Sequence, residues 1–120
     1  MDISSQTPRP ILIDLQTAHA HSGPQLGHES EDLNVTLLSW KAGQGVATHI
    51  NDEVDVVLIV VDGEGEVSVD GQAFALIVGQ ALLIPKGCER AIRCAGERFS
   101  YLSVHRRRRG LMPTLSGRRL

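Results

Sequence analysis

From Leu33 onward the chain alternates short apolar runs with glycine, proline and Asp-Gly breaks. The runs at 33–40, 46–50, 54–61, 66–69, 72–78, 81–84, 90–94 and 99–105 have strand length and are rich in β-branched residues. The breaks between them are Lys41-Ala42-Gly43, Asp62-Gly63, Asp70-Gly71, Gly79, Pro85-Lys86-Gly87 and Ala95-Gly96. Asp70-Gly71 is the strongest hairpin signal. No stretch in this region repeats its apolar residues at 3.6 with caps at its ends, so no helix is expected there. Residues 56–61, Val-Val-Leu-Ile-Val-Val, are apolar on both faces and predict a strand covered on both sides. Many short strands at even spacing predict an all-β antiparallel barrel or sandwich.

Before Leu33 the pattern is weak. Residues 1–10 carry two prolines among polar residues and read as a loosely docked arm. Ile11-Leu12-Ile13 suggests a short strand, and 17–32 reads as a polar loop. The expected organisation is an N-terminal arm and loop over 1–32, a β-barrel over 33–105 and a basic tail over 106–120.

The 120 residues suit one domain with one core. With only four aromatics, Trp40, Phe74, Phe99 and Tyr101, that core should be mainly aliphatic. No apolar run approaches membrane-span length, and the N-terminus lacks a secretory pattern. Cys88 and Cys94 are too sparse for a disulfide framework, so a reduced, cytoplasmic protein with inert thiols is expected. The net charge of −2 hides an asymmetry: all 14 acids lie within 1–105, whereas 106–120 holds six arginines and no acid. The arginines Arg106 to Arg109, Arg118 and Arg119 have no interleaved aromatics and attach to an acidic body. They read as a solvated tail, or one docked on acidic surface, rather than a nucleic-acid site.

The candidate chemistry lies next to the doubly apolar run. If strand geometry continues through it, His49, Asn51 and Asp55 share one face. Gly43 precedes His49 by six positions, with Asn51, Asp55 and Gly63 following; Gly79 precedes Pro85-Lys86-Gly87 by the same interval, with Arg90 and Cys94 following. These two stretches resemble the paired motifs of the cupin superfamily, which implies a jelly-roll β-barrel. Metal-binding cupins hold a divalent metal with two His and a Glu from the first motif and a His from the second. Those positions carry His49, Asn51, Asp55 and Arg90 here, and an alternative register that pairs His49 with Glu53 breaks the glycine spacing. The turn-forming glycines and Pro85 match the family, whereas the ligand positions depart from it. Arg90 departs furthest, because guanidinium has no lone pair to give.

Two functions follow. One is a metal-free module whose pocket, lined by His49, Asn51, Asp55, Arg90 and His105, binds or senses a small polar or anionic molecule. In it Asp55 and Arg90 pair in place of the metal. The other is a dioxygenase- or isomerase-type enzyme holding Fe, Mn, Ni or Zn through His49, Asp55 and His105. A lesser variant makes His49 a general base tuned by Asp55. The first expects no cofactor. Small cupins of this kind commonly pair, and an exposed sheet edge favours a homodimer. His19, His21 and His28 lie in a polar stretch without other ligands and read as exposed loop histidines. Trp40 reads as a core or interface residue.

Overall fold

The computed structural model describes residues 9–16 and 21–108. Residues 1–8 of the expected arm, His19 and the arginines from Arg109 onward lie outside the described residues. Seven strands follow in order: β1 (Gly23–Glu29), β2 (Leu33–Lys41), β3 (Gly45–Ile50), β4 (Val56–Val69), β5 (Gln72–Ile77), β6 (Ala81–Ile84) and β7 (Glu89–Arg106). All pairings are antiparallel in one sheet ordered β1-β2-β7-β4-β5, with β3 on β7 and β6 on β4. Among the described residues there is no helix, so none is long and apolar enough to cross a membrane.

The 14-residue β4 and the 18-residue β7 organise this sheet. The second half of β7 lies between β2 and the first half of β4, while its first half lies between β3 and the second half of β4. The register shifts between Val60 and Asp62 and again between Gly63 and Gly65. Such bulges bend a strand and raise its twist, and here they carry both strands round the roll. The breaks expected at Asp62-Gly63 and Ala95-Gly96 are therefore bulges and bends inside continuous strands. Gly63 has a φ of 74°, and a Cβ there would lie 1.7 Å from the Arg98 carbonyl oxygen. Glycine is needed for close approach within a ladder, not for chain reversal.

Two further expectations change. Residues 11–13 form no strand, and the stretch read as a loop at 17–32 contains β1, which pairs with β2 through Gly23↔Ser39 to Glu29↔Asn34. Its sequence, GPQLGHE, carries no alternation because it is an edge strand. The expected Asp70-Gly71 hairpin joins β4 to β5, with φ of 50° and 86° at its two residues. The core runs along the inner faces through Val56, Leu58 and Val60 on β4, and aliphatic residues dominate it. Its two largest members are nevertheless Phe99 and Tyr101, whose rings meet at 5.0 Å. Val57, Ile59 and Val61, on the other face of β4, are half-buried rather than fully covered.

Gly65 lies against the fully buried Phe99 ring, where a Cβ would come within 2.1 Å of the ring carbon Cδ2. Overpacking of this kind costs about 1–3 kcal/mol. Gly65→Ala is therefore expected to lower the free energy of unfolding by that amount, measured by denaturant titration; an unchanged midpoint would show that the ring is free to move aside.

Candidate functional site

The site begins where β3 ends. Asn51 turns the chain: its side-chain oxygen accepts the N–H groups of Glu53 at 2.9 Å and Val54 at 3.3 Å. Its carbonyl accepts the Gly87 N–H at 2.7 Å, and Asp55 Oδ1 accepts the Lys86 N–H at 2.9 Å. The 51–55 loop is thus tied to the Pro85-Lys86-Gly87 turn that leads into β7. This turn resets the period-two alternation. Val54 and Val56 point inward, while Asp55 between them is exposed. Asp55 does not share a face with His49 and Asn51, and the expected Asp55–Arg90 ion pair does not form.

The other four candidates line one cavity of about 180 Å³: His49, Asn51, Arg90 and His105. His49 and Arg90 are cross-strand partners of β3 and β7, so their side chains share a face. Arg90 is only 4% exposed. Its Nε donates to the Cys88 carbonyl at 3.2 Å and its Nη2 to the Pro85 carbonyl at 3.3 Å. A guanidinium has five N–H donors, and no described carboxylate forms an ion pair with this one. Burial lowers the Arg90 pKa from its ordinary value and the neighbouring Arg108 pushes the same way, while Cys88 and the Asp70 carboxylate act in the opposite sense. The group remains charged, because arginine does not give up its proton in a protein. A buried cation with two main-chain acceptors, attracted by Asp70 but in no ion pair among the described residues, is the main electrostatic feature of the cavity.

Beside Arg90, the Asn51 amide is fixed with its oxygen in the turn, and its NH₂ has no acceptor among the described residues. Asn51 itself is 9% exposed. His49 Nδ1 lies 3.0 Å from the Ala47 carbonyl and His105 Nδ1 lies 2.8 Å from the Arg106 carbonyl. A carbonyl only accepts, so each Nδ1 carries the proton and each Nε2 is the ring's remaining nitrogen. Those two nitrogens are too few for a resident metal. Among the described residues no three His, Cys, Asp or Glu side chains come together. The set His49, Asp55 and His105 is not assembled, and Arg90 contributes positive charge where a metal needs donors. A divalent transition metal does not fit these residues.

Three polar lining residues escaped the sequence reading: Tyr101, Ser103 and Arg108. Tyr101, Ser103 and His105 alternate on β7, so extending the period two back from His105 identifies the first two. Arg108 lies in the stretch read as tail, yet its Nε pairs with Glu53 at 3.2 Å across the rim, while Arg107 pairs with Glu29 at 3.7 Å. These described tail arginines dock on the acidic body, as half-exposed pairs of small individual worth. Trp40 donates its indole N–H to the buried Tyr101 hydroxyl at 2.9 Å, which makes it a supporting core residue. The Cys94 thiol is buried and donates to the Gly96 carbonyl at 3.3 Å; burial raises its pKa, and burial together with Asp70 raises that of Cys88. Both are free thiols kept in the protonated form. His21 is exposed and bonds the Pro24 carbonyl, whereas His28 is half-buried on β1. A larger surface groove of about 1070 Å³ is lined by Asp62, Glu64, Glu97 and Arg98. Its arginine pairs with Asp62 at 3.3 Å, and with Lys41 as the other cation the three acids of the lining outnumber the basic groups.

The seven-stranded roll and this cavity agree with a match to the cupin domain family over residues 36–105. The chain belongs to the cupin family. Solved cupin folds are similar in shape and distant in sequence. A protein from Bacillus halodurans superposes with a TM-score of 0.72 at 23% identity, over 87% of this chain and 86% of that one. The cupin domain of Schizosaccharomyces pombe Cnp3 gives 0.70 at 15% identity, over 83% and 76% of the two chains. KdgF from a Halomonas species gives 0.64 at 21% identity, over 68% and 74%. No curated protein matches the chain by sequence. At these identities the likeness establishes the fold, and the cupin's own residues must speak for its chemistry.

Tyr101 is the single tyrosine, and burial pushes its pKa up to about 12. A raised pKa means that its contribution to stability is complete below the ordinary value of 10 and is lost as pH rises toward 12. Ultraviolet titration of tyrosinate is expected to show one transition near 12, with stability falling between these values; a midpoint at 10 would mean that the phenol is solvated.

Proposed function

We propose that this cupin is a binding or sensing module for a small anionic molecule, held in the barrel cavity against Arg90. One observation carries this reading: a guanidinium at 4% exposure that forms no ion pair or hydrogen bond with any described carboxylate, Asp70 attracting it only from beyond ion-pair distance. Taking a charge out of water costs several kcal/mol unless it is compensated. The two carbonyls at Pro85 and Cys88 hold the group in place without neutralising it. Three of its five donors remain for a ligand, and the Asn51 NH₂ adds a second donor group in the same cavity. An oxyanion entering there meets charge-assisted hydrogen bonds in a low-dielectric site, where they are strongest.

Calorimetric titration with small oxyanions tests this directly. The wild-type chain is expected to bind at one site, and Arg90→Met to bind about ten- to a hundredfold more weakly, the worth of a charged hydrogen bond. Equal affinity in both proteins would remove Arg90, and with it the reading.

The proposal includes a homodimer. It is supported by an apolar strip on the outer side of the sheet, where Leu83 pairs with Val57 and is 62% exposed, beside half-buried Ile59, Leu102 and Val104. Size exclusion with light scattering is expected to return about twice the chain mass and Leu83→Glu about one, since a charge on such a face opposes association. A monomeric wild type would dismiss the dimer and leave the cavity untouched.

A further inference from the structure

We infer that the anion is a short aliphatic carboxylate, on the order of four carbons, in preference to phosphate, sulfate or a sugar acid. This rests on the proposed anion-binding reading and adds the ligand's chemical class.

Size is the first observation. A cavity of about 180 Å³ has room for about six water-sized groups, taking ~30 Å³ for each. Carboxylate atoms take three of them and leave three for carbon. A hexose acid is about twice too large.

The distribution of polarity is the second. Arg90, Arg108, Asn51, Ser103, Tyr101 and the two histidines supply the polar lining. Leu38, Val46, Val56, Leu58, Ile84 and Ile92 supply the rest. A ligand filling this space therefore meets both hydrogen-bonding groups and a large share of aliphatic side chains. Phosphate and sulfate carry oxygens on every side, and an oxygen turned toward the aliphatic wall loses its water without gaining a hydrogen bond. An aliphatic carboxylate has all its charge at one end, and its chain gains from the wall that penalises phosphate.

Donor geometry and charge agree. With Nε committed to Cys88 and one Nη2 hydrogen to Pro85, the free donors of Arg90 lie on both terminal nitrogens. Free donors on both terminal nitrogens are what bidentate recognition of a carboxylate requires. Arg108 is the other arginine of the lining and is already paired with Glu53. One guanidinium without an ion pair, already partly offset by Asp70, suits a monoanion better than a dianion.

The test is a calorimetric series on the wild-type chain with acetate, propionate, butyrate, octanoate, phosphate and the neutral amide butyramide. Affinity is expected to rise about fourfold per added methylene from acetate to butyrate, the worth of burying one CH₂. It should then fall for octanoate, which exceeds the cavity, with phosphate and butyramide each about tenfold or more weaker than butyrate. Phosphate binding as tightly as butyrate, in an Arg90-dependent way, would overturn the carboxylate assignment and leave the anion-binding reading standing. A flat response from acetate to butyrate would also overturn it, by removing the apolar subsite. Butyramide equalling butyrate, or no binding by any anion, would overturn both. Because the series uses the wild-type chain, its outcome does not depend on whether Arg90→Met folds.

Discussion

The ladder between β4 and β7 is the constraint on which the site depends. It runs from Val56↔His105 at one end to Val69↔Arg90 at the other. Fully extended, the strand between Arg90 and His105 would separate them by about 50 Å. Both residues nevertheless line one cavity of about 180 Å³. The ladder must therefore fold over on itself, and it does so where its register slips near Gly63 and Gly65. At those positions the Arg98 carbonyl and the Phe99 ring leave no room for a Cβ. The glycines that make the bend and the polar residues that make the site are thus parts of one geometric solution, although they are far apart in sequence.

Within that frame Arg90 carries the functional argument. A buried charge held only by carbonyls is an expensive arrangement, and packing alone does not call for it: an apolar residue in the same place would fill the barrel without the desolvation cost. Asp55, the carboxylate nearest in sequence pattern, is turned outward and spends its Oδ1 on the Lys86 N–H. The other nearby acid, Glu53, faces Arg108 at the rim. These two carboxylates hold the walls and mouth of the cavity, and Asp70, whose charge does reach Arg90, accepts the Glu89 N–H at 2.8 Å, so no described carboxylate forms an ion pair with the guanidinium.

Much of the fold was legible in the sequence because turns and apolar runs are local signals. Asp70-Gly71 and Pro85-Lys86-Gly87 turn the chain as their residue types suggest, and the run at 56–61 is a strand, although only one of its faces is fully buried. The misreadings came from features that look local and are not. Asp62-Gly63 and Ala95-Gly96 read as turns because a glycine needed for close packing cannot be told from one needed for reversal by composition. β1 was invisible because an edge strand in a polar stretch shows little alternation. Of the candidates, His49, Asn51 and Arg90, read from motif position, and His105, read from its place at the end of the last strand, line one cavity, whereas Asp55 lies off it because the Asn51 side chain starts a turn that breaks the alternation. That the Arg90 charge is unpaired followed only from that turn.

A crystal structure of the protein grown with butyrate is the most direct test of the central claim that the counter-charge to Arg90 comes from outside the chain. The expected result is a carboxylate with both oxygens within hydrogen-bonding distance of Nη1 and Nη2 and its chain toward Leu58 and Ile84. A guanidinium paired with a carboxylate of its own chain, the cavity holding water alone, would contradict it.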